Sequence, residues 1–158
     1  MALALGGCTG APGPAVAESA ASPAPAGEVG RVTRVVDGDT LVVDGVRVRL
    51  IGIDTPESKQ PGSPVECFAL EAAARMGALL PEGTAVRLAL DVDPTDDFGR
   101  TLAYVYRVAD DLFVNAALVR EGYASVLTVP PNVRHADDFL ELQGEARQAG
   151  RGLWSSCP

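Results

Sequence analysis

Val46, Val48 and Leu50 alternate with Arg47 and Arg49, so a strand at this point turns its arginines to the face opposite its aliphatic side chains. Asp44-Gly45, just before it, is a two-residue hairpin signal. The same alternation marks strands over 31–36, 41–43, 46–53, 85–90 and 101–108. Helical spacing marks 66–80, 114–121 and 136–149, the last with Phe139, Leu142 and Ala146 on one face. Five short strands with about three helices packed at their ends predict an α+β, β-rich fold, a five-stranded OB-fold barrel. The face and loops of such a barrel commonly bind oligonucleotides.

The hairpin also sets a register. Thr40 falls roughly opposite Arg49 and Asp39 opposite Leu50, which places a carboxylate beside an arginine across the ladder. Asp54 lies four residues beyond Leu50, or about 13 Å along a straight strand. To bring Asp54 to the same place the strand must bend, and Gly52 sits where the bend is required.

Composition divides the chain without adding a second domain. Residues 30–158 are enough for one globular unit that buries roughly two thirds of its unfolded surface. Residues 8–29 are nearly all Ala, Pro, Gly and Ser, too poor in large apolar side chains to offset chain entropy, and are expected to be a disordered tether. Residues 1–7 are small and apolar, and Leu5-Gly6-Gly7-Cys8 resembles a lipobox, in which the peptide is cut before an acylated Cys8. The expectation is a truncated lipoprotein signal and a protein secreted or anchored to the outer face of the cell membrane. The basic start of a signal peptide is missing, which leaves a plain apolar chain end as the alternative. With Cys8 set apart, Cys67 and Cys157 form an even pair in an exported chain, and a disulfide between the first helix and the C-terminus is expected. Closing so long a loop stabilises by about 4 kcal/mol in the chain-entropy model. No oligomer interface is legible, and a monomer is expected.

Charge narrows the chemistry. A net charge of −8, from 13 basic and 21 acidic residues, opposes easy binding of a polyanion. Three segments nevertheless gather the groups that phosphodiester cleavage needs. A phosphodiester gains negative charge in its transition state, so cationic donors must already be in place. Arg49 and Arg100 have the planar fork that suits phosphate oxygens. Asp39 and Asp54 supply the hard oxygens that calcium prefers, with the backbone carbonyl of Thr55 as a further ligand. Glu57, just past Pro56, is placed to activate a water as general base.

Three motifs, D-G-D-T at 37–40, R-L-I-G-I-D-T-P-E at 49–57 and D-x-F-G-R at 96–100, resemble the thermonuclease (staphylococcal nuclease) family, as do 102–106, 114–124 and 152–155. The likeness spans nearly everything after Gly30. It implies that Asp39, Asp54 and the Thr55 carbonyl bind calcium, that Glu57 activates water, and that Arg49 and Arg100 clamp the phosphate. It also implies cleavage of DNA and RNA to 3′-phosphates. The chain departs from the family at Phe98, which replaces a tyrosine, at Asp97, often basic, and at Thr128 with Pro130-Pro131, where the best-known member has pocket tyrosines. A weaker stacking surface is the expected result.

Each residue also has a structural alternative. Asp37 and Asp39 alone are ordinary turn residues, and the arginines could form an ion network with Asp54 and Glu57. Asp91, Asp93, Asp96 and Asp97 are read mostly as a solvated loop, because they lack calcium-loop spacing. His135 is placed at the start of the last helix and is not a base; Trp154 is a C-terminal anchor. The rival to the enzyme reading is a non-catalytic nucleic-acid-binding module on the same fold.

Overall fold

The computed structural model describes residues 27–59 and 61–158. Cys8, the signal segment 1–7 and the tether up to residue 26 therefore lie outside the described residues. Five strands make the barrel: β1 (Glu28–Asp37), β2 (Thr40–Val43), β3 (Val46–Leu50), β5 (Ala85–Ala89) and β6 (Thr101–Arg107). Between β3 and β5 come the two-residue β4 (Ile53–Asp54) and the helix α1 (Ala69–Leu79). After β6 follow β7 (Leu112–Phe113), α2 (Val114–Arg120), β8 (Ser125–Val126), α3 (Ala136–Gln148) and the short α4 (Leu153–Ser156).

Antiparallel pairing runs β3-β2-β1-β5-β6, and a parallel pairing of β3 with β6 closes the ring. The fold is thus a five-stranded mixed barrel with, among the described residues, three helices of seven residues or more, in the α+β class. Its interior is filled by the inward set of each strand, including Val32, Leu41, Val48, Leu50, Val86 and Val105. Met76 and Leu80 from the α1 segment and Phe139 from α3 extend this core outside the barrel.

Several boundaries differ from the pattern reading, each for a physical reason. The predicted strand 46–53 is two strands, because Gly52 at φ 80° turns the chain between Leu50 and Ile53. A Cβ on Gly52 would also lie 2.7 Å from the Phe139 ring, so both conformation and space demand glycine there. Helix α1 starts at Ala69, not near Glu66, because Phe68 is left-handed and Glu66 and Cys67 are engaged elsewhere. Strand β1 opens at Glu28, ahead of the expected domain start at Gly30.

The expected Cys67–Cys157 disulfide is present, with Cα atoms 5.8 Å apart across a sequence separation of 90. It ties the entry of α1 to the chain end. The end is held independently as well: Leu153 N–H donates to Gly122 O at 2.8 Å, and the Arg147 guanidinium lies 4.2 Å from the Trp154 ring centroid. Trp154 therefore anchors α4 against α3.

Candidate active site

The hairpin register places the first half of the site. Thr40 pairs with Arg49, and Leu50 N–H donates to the Asp39 carbonyl at 3.0 Å. Asp39 is buried, and its carboxylate accepts three hydrogen bonds: from Thr55 N–H at 2.9 Å and Thr55 Oγ1 at 3.0 Å on one oxygen, and from Thr40 Oγ1 at 2.9 Å on the other. Thr55 can come this close because Gly38 has no side chain; a Cβ there would sit 2.8 Å from Thr55 Oγ1.

Arg49 joins the two halves. Its Nη1 donates to the carbonyls of Leu50 at 3.1 Å and Ile53 at 2.8 Å, so the guanidinium fills the turn made by Gly52. Its Nη2 lies 2.8 Å from Asp54 and 3.2 Å from Asp39. The bend thus brings Asp54, far from Asp39 on a straight strand, to the same guanidinium. Burial raises the Asp54 pKa above its ordinary value; Arg49 opposes this, and the charges of Asp39 and Glu66 add to it.

Glu57 is exposed, and its backbone is clamped. Its N–H donates to Glu66 Oε2 at 2.9 Å, and Glu66 N–H donates to the Glu57 carbonyl at 3.1 Å. Next to it, Ser58 donates to the Asp37 carboxylate through Oγ at 3.0 Å and N–H at 3.3 Å. The Glu57 pKa is raised, by burial first and then by repulsion from Asp37, Asp39 and Asp54.

Arg100 arrives on a tight turn. Asp96 accepts from Phe98 N–H and Arg100 N–H, both at 3.0 Å, and from Arg100 Nε at 2.7 Å. Burial pushes the Asp96 carboxyl up, but the bonds and charge of Arg100 outweigh it and leave its pKa below the ordinary value. Arg100 stands where two clefts meet. One is a polar groove with Asp37, Thr40, Arg47, Glu57 and Lys59. The other is mainly apolar, lined by Phe98, Leu102, Leu127 and Val129 with Arg49. Phe98 is 85% exposed at its mouth.

A model described as "Staphylococcal nuclease homologue" matches residues 47–156. This chain belongs to the staphylococcal nuclease family. It is 39% identical over 132 residues to a thermonuclease of Staphylococcus intermedius, covering 81% of this chain and 77% of that protein. A thermonuclease of Staphylococcus hyicus is 35% identical over 130 residues, 80% of this chain and 75% of the relative. The endonuclease YncB of Bacillus subtilis is 38% identical over 128 residues, 77% of this chain and 59% of the relative.

Within this staphylococcal nuclease-type site, Asp39, Arg49, Asp54 and Thr55 are in direct contact, while Glu57 and Arg100 line one groove. Among the described residues, no group of three or more His, Cys, Asp or Glu side chains is gathered to hold a metal. The donor set still suits a hard cation: two carboxylates joined by one guanidinium, with Asp54 and Glu57 raised above their ordinary pKa by burial first and by the charges of neighbouring acids second.

The aspartate-rich loop needs correction, since two of its members are structural. Asp91 accepts from Tyr104 Oη at 3.0 Å and pairs with Arg134 at 3.3 Å, while Asp96 builds the Arg100 turn. His135 stands at the start of α3 without a side-chain capping bond and packs edge-on to Tyr104 with ring centroids 4.6 Å apart. Sequence reasoning missed Ser58 and Glu66, the clamps on the Glu57 segment. It also missed Asn115, buried on α2, which donates to Ile51 O at 2.9 Å and accepts from Val105 N–H at 2.9 Å. An amide inside the apolar run VNAAL was the available signal.

Proposed function

We propose that this chain is a calcium-dependent nuclease that hydrolyses phosphodiester bonds of DNA or RNA. The observation that carries the reading is the Arg49 guanidinium held between Asp39 and Asp54, on the same cleft system as Glu57 and Arg100. Asp39, Asp54 and the Thr55 carbonyl are the residues that would hold calcium, and the ion would polarise a phosphate oxygen and a bound water.

The side chains supply the rest. Glu57 accepts the proton of the attacking water as the new bond to phosphorus forms, and its raised pKa makes it a stronger base than a free carboxylate. Arg49 and Arg100 donate to the phosphoryl oxygens, whose charge grows in the transition state. The bond to the 5′ oxygen breaks, that oxygen takes a proton from solvent, and a 3′-phosphate and a 5′-hydroxyl remain. The clamp from Glu66 and Ser58 fixes where Glu57 stands, so little reorganisation is needed during the step.

Glu57→Gln is the decisive variant. Incubated with single-stranded DNA and calcium, it is expected to turn over about 10²- to 10⁴-fold more slowly than the wild type, the usual weight of a general base. Cleavage by the wild type is expected to stop in EDTA. A near-normal rate in Glu57→Gln removes that residue from the mechanism. Calcium-dependent binding with no cleavage by the wild type replaces the enzyme with a binding module. Membrane anchoring through Cys8 belongs to the same picture of an exported scavenging or defensive nuclease, and acylation of Cys8 in the membrane fraction is its mass-spectrometric test.

A further inference from the structure

We infer that Arg47 forms a second phosphate subsite, which holds the phosphate next to the cleaved one and gives this nuclease a preference for polynucleotides over short fragments. The inference rests on the nuclease reading above.

Arg47 and Arg49 lie two residues apart on β3 and project from the same face, a step of about 6.6 Å along a strand. That backbone step is of the order of the spacing of neighbouring phosphates in an extended single strand, and the long arginine side chains can adjust to it. Arg47 also lines the polar groove with Glu57, Lys59 and Arg100, while Arg100 borders the apolar cleft as well. A chain whose cleaved phosphate sits at Arg49 and Arg100, with one base directed at Phe98, would continue past Arg47.

The state of the side chain agrees. Of the twelve arginines among the described residues, six are held by carboxylates, and Arg47 is one of the six that are not. Arg47 is exposed, and no acidic group among the described residues lies within ion-pair distance of it. Arg34 extends the strip, since Val42 pairs with Arg47 on one side and Arg34 on the other. In a protein of net charge −8, Arg47, Lys59 and Arg100 thus share one groove, where they outnumber its acids Asp37 and Glu57. Solvation alone accounts for an exposed arginine on a strand but not for its alignment with the clamp.

The test compares a dinucleoside monophosphate, which has one phosphate, with a twelve-nucleotide single strand, using the full chain in calcium. Arg47→Ala is expected to lower the ratio of kcat/KM for the long over the short substrate about 5-fold, the upper end for one exposed ion pair. Arg47→Lys should restore most of that ratio. In the Glu57→Gln background, Arg47→Ala should make the logarithmic salt dependence of binding the long strand shallower by about 0.7. An unchanged ratio together with an unchanged salt slope overturns the subsite, as does an equal loss on both substrates. If the wild type cuts neither substrate, the nuclease reading fails by itself, and the salt slope with and without Arg47 still decides the subsite. Equal melting temperatures of wild type and Arg47→Ala are the folding control.

Discussion

Asp96 shows how a single side chain can fix a turn and the arginine it carries. It receives three hydrogen bonds from the Phe98–Arg100 turn, and one of them fixes the guanidinium that is proposed to clamp phosphate. Because its folded pKa is lowered, its stabilising contribution is complete above the ordinary aspartate value of 3.8 and is lost as pH falls through the lower folded value. Asp96→Ala is expected to cost about 1–3 kcal/mol at neutral pH. Urea unfolding of both proteins should show the difference shrinking on acidification below that range. A gap that persists there would assign the loss to packing instead. The motif D-x-F-G-R is legible in the sequence, but the residue within it that orients Arg100 is not, because an aspartate two residues from an exposed phenylalanine looks like a solvated turn.

At the scale of elements, the bend after β3 decides the site. The requirement for it was legible: the hairpin register left Asp54 too far from Asp39, and Gly52 was the residue able to turn. Its support was not legible, since Phe139 arrives from α3 and Asn115 from α2, both remote in sequence. Gly52→Ala puts an L side chain at φ 80° and a Cβ against the Phe139 ring, and is expected to destabilise by about 1–3 kcal/mol. Turnover should fall along with stability, because Arg49 bonds the carbonyls on both sides of this turn. Denaturant midpoints and kcat measured on the same samples check this; lost stability with unchanged kcat would show that the turn relaxes without moving Asp54. Helix α1 differs for a similar reason. Periodicity extended it back to Glu66, whereas the tertiary fold takes Glu66 for the clamp on Glu57 and Cys67 for the disulfide.

Across the whole molecule, the Cys67–Cys157 bridge links the site's supporting loop to the chain end. Reduction, or Cys157→Ser, is expected to lower stability by about 2–5 kcal/mol, since the bridge closes a loop of 90 residues. Guanidinium unfolding with and without reductant measures it, and coincident curves would mean that α4 is held by Trp154 and Leu153 alone. By itself the sequence determined the barrel class and the hairpin register. These depend on side-chain period, turn chemistry and spacing along one chain, which short segments already encode. Only the tertiary structure decided that Arg49 spans both aspartates, that Asp96 accepts from Arg100 and Glu66 from the Glu57 N–H, and that Arg47 shares a groove with Glu57. These partners are near in sequence, but whether they meet is set by the turn at Gly52, which Phe139 and Asn115 support from remote helices, and by the turn that carries Arg100 beside β3, and no local pattern records which partner a side chain will find.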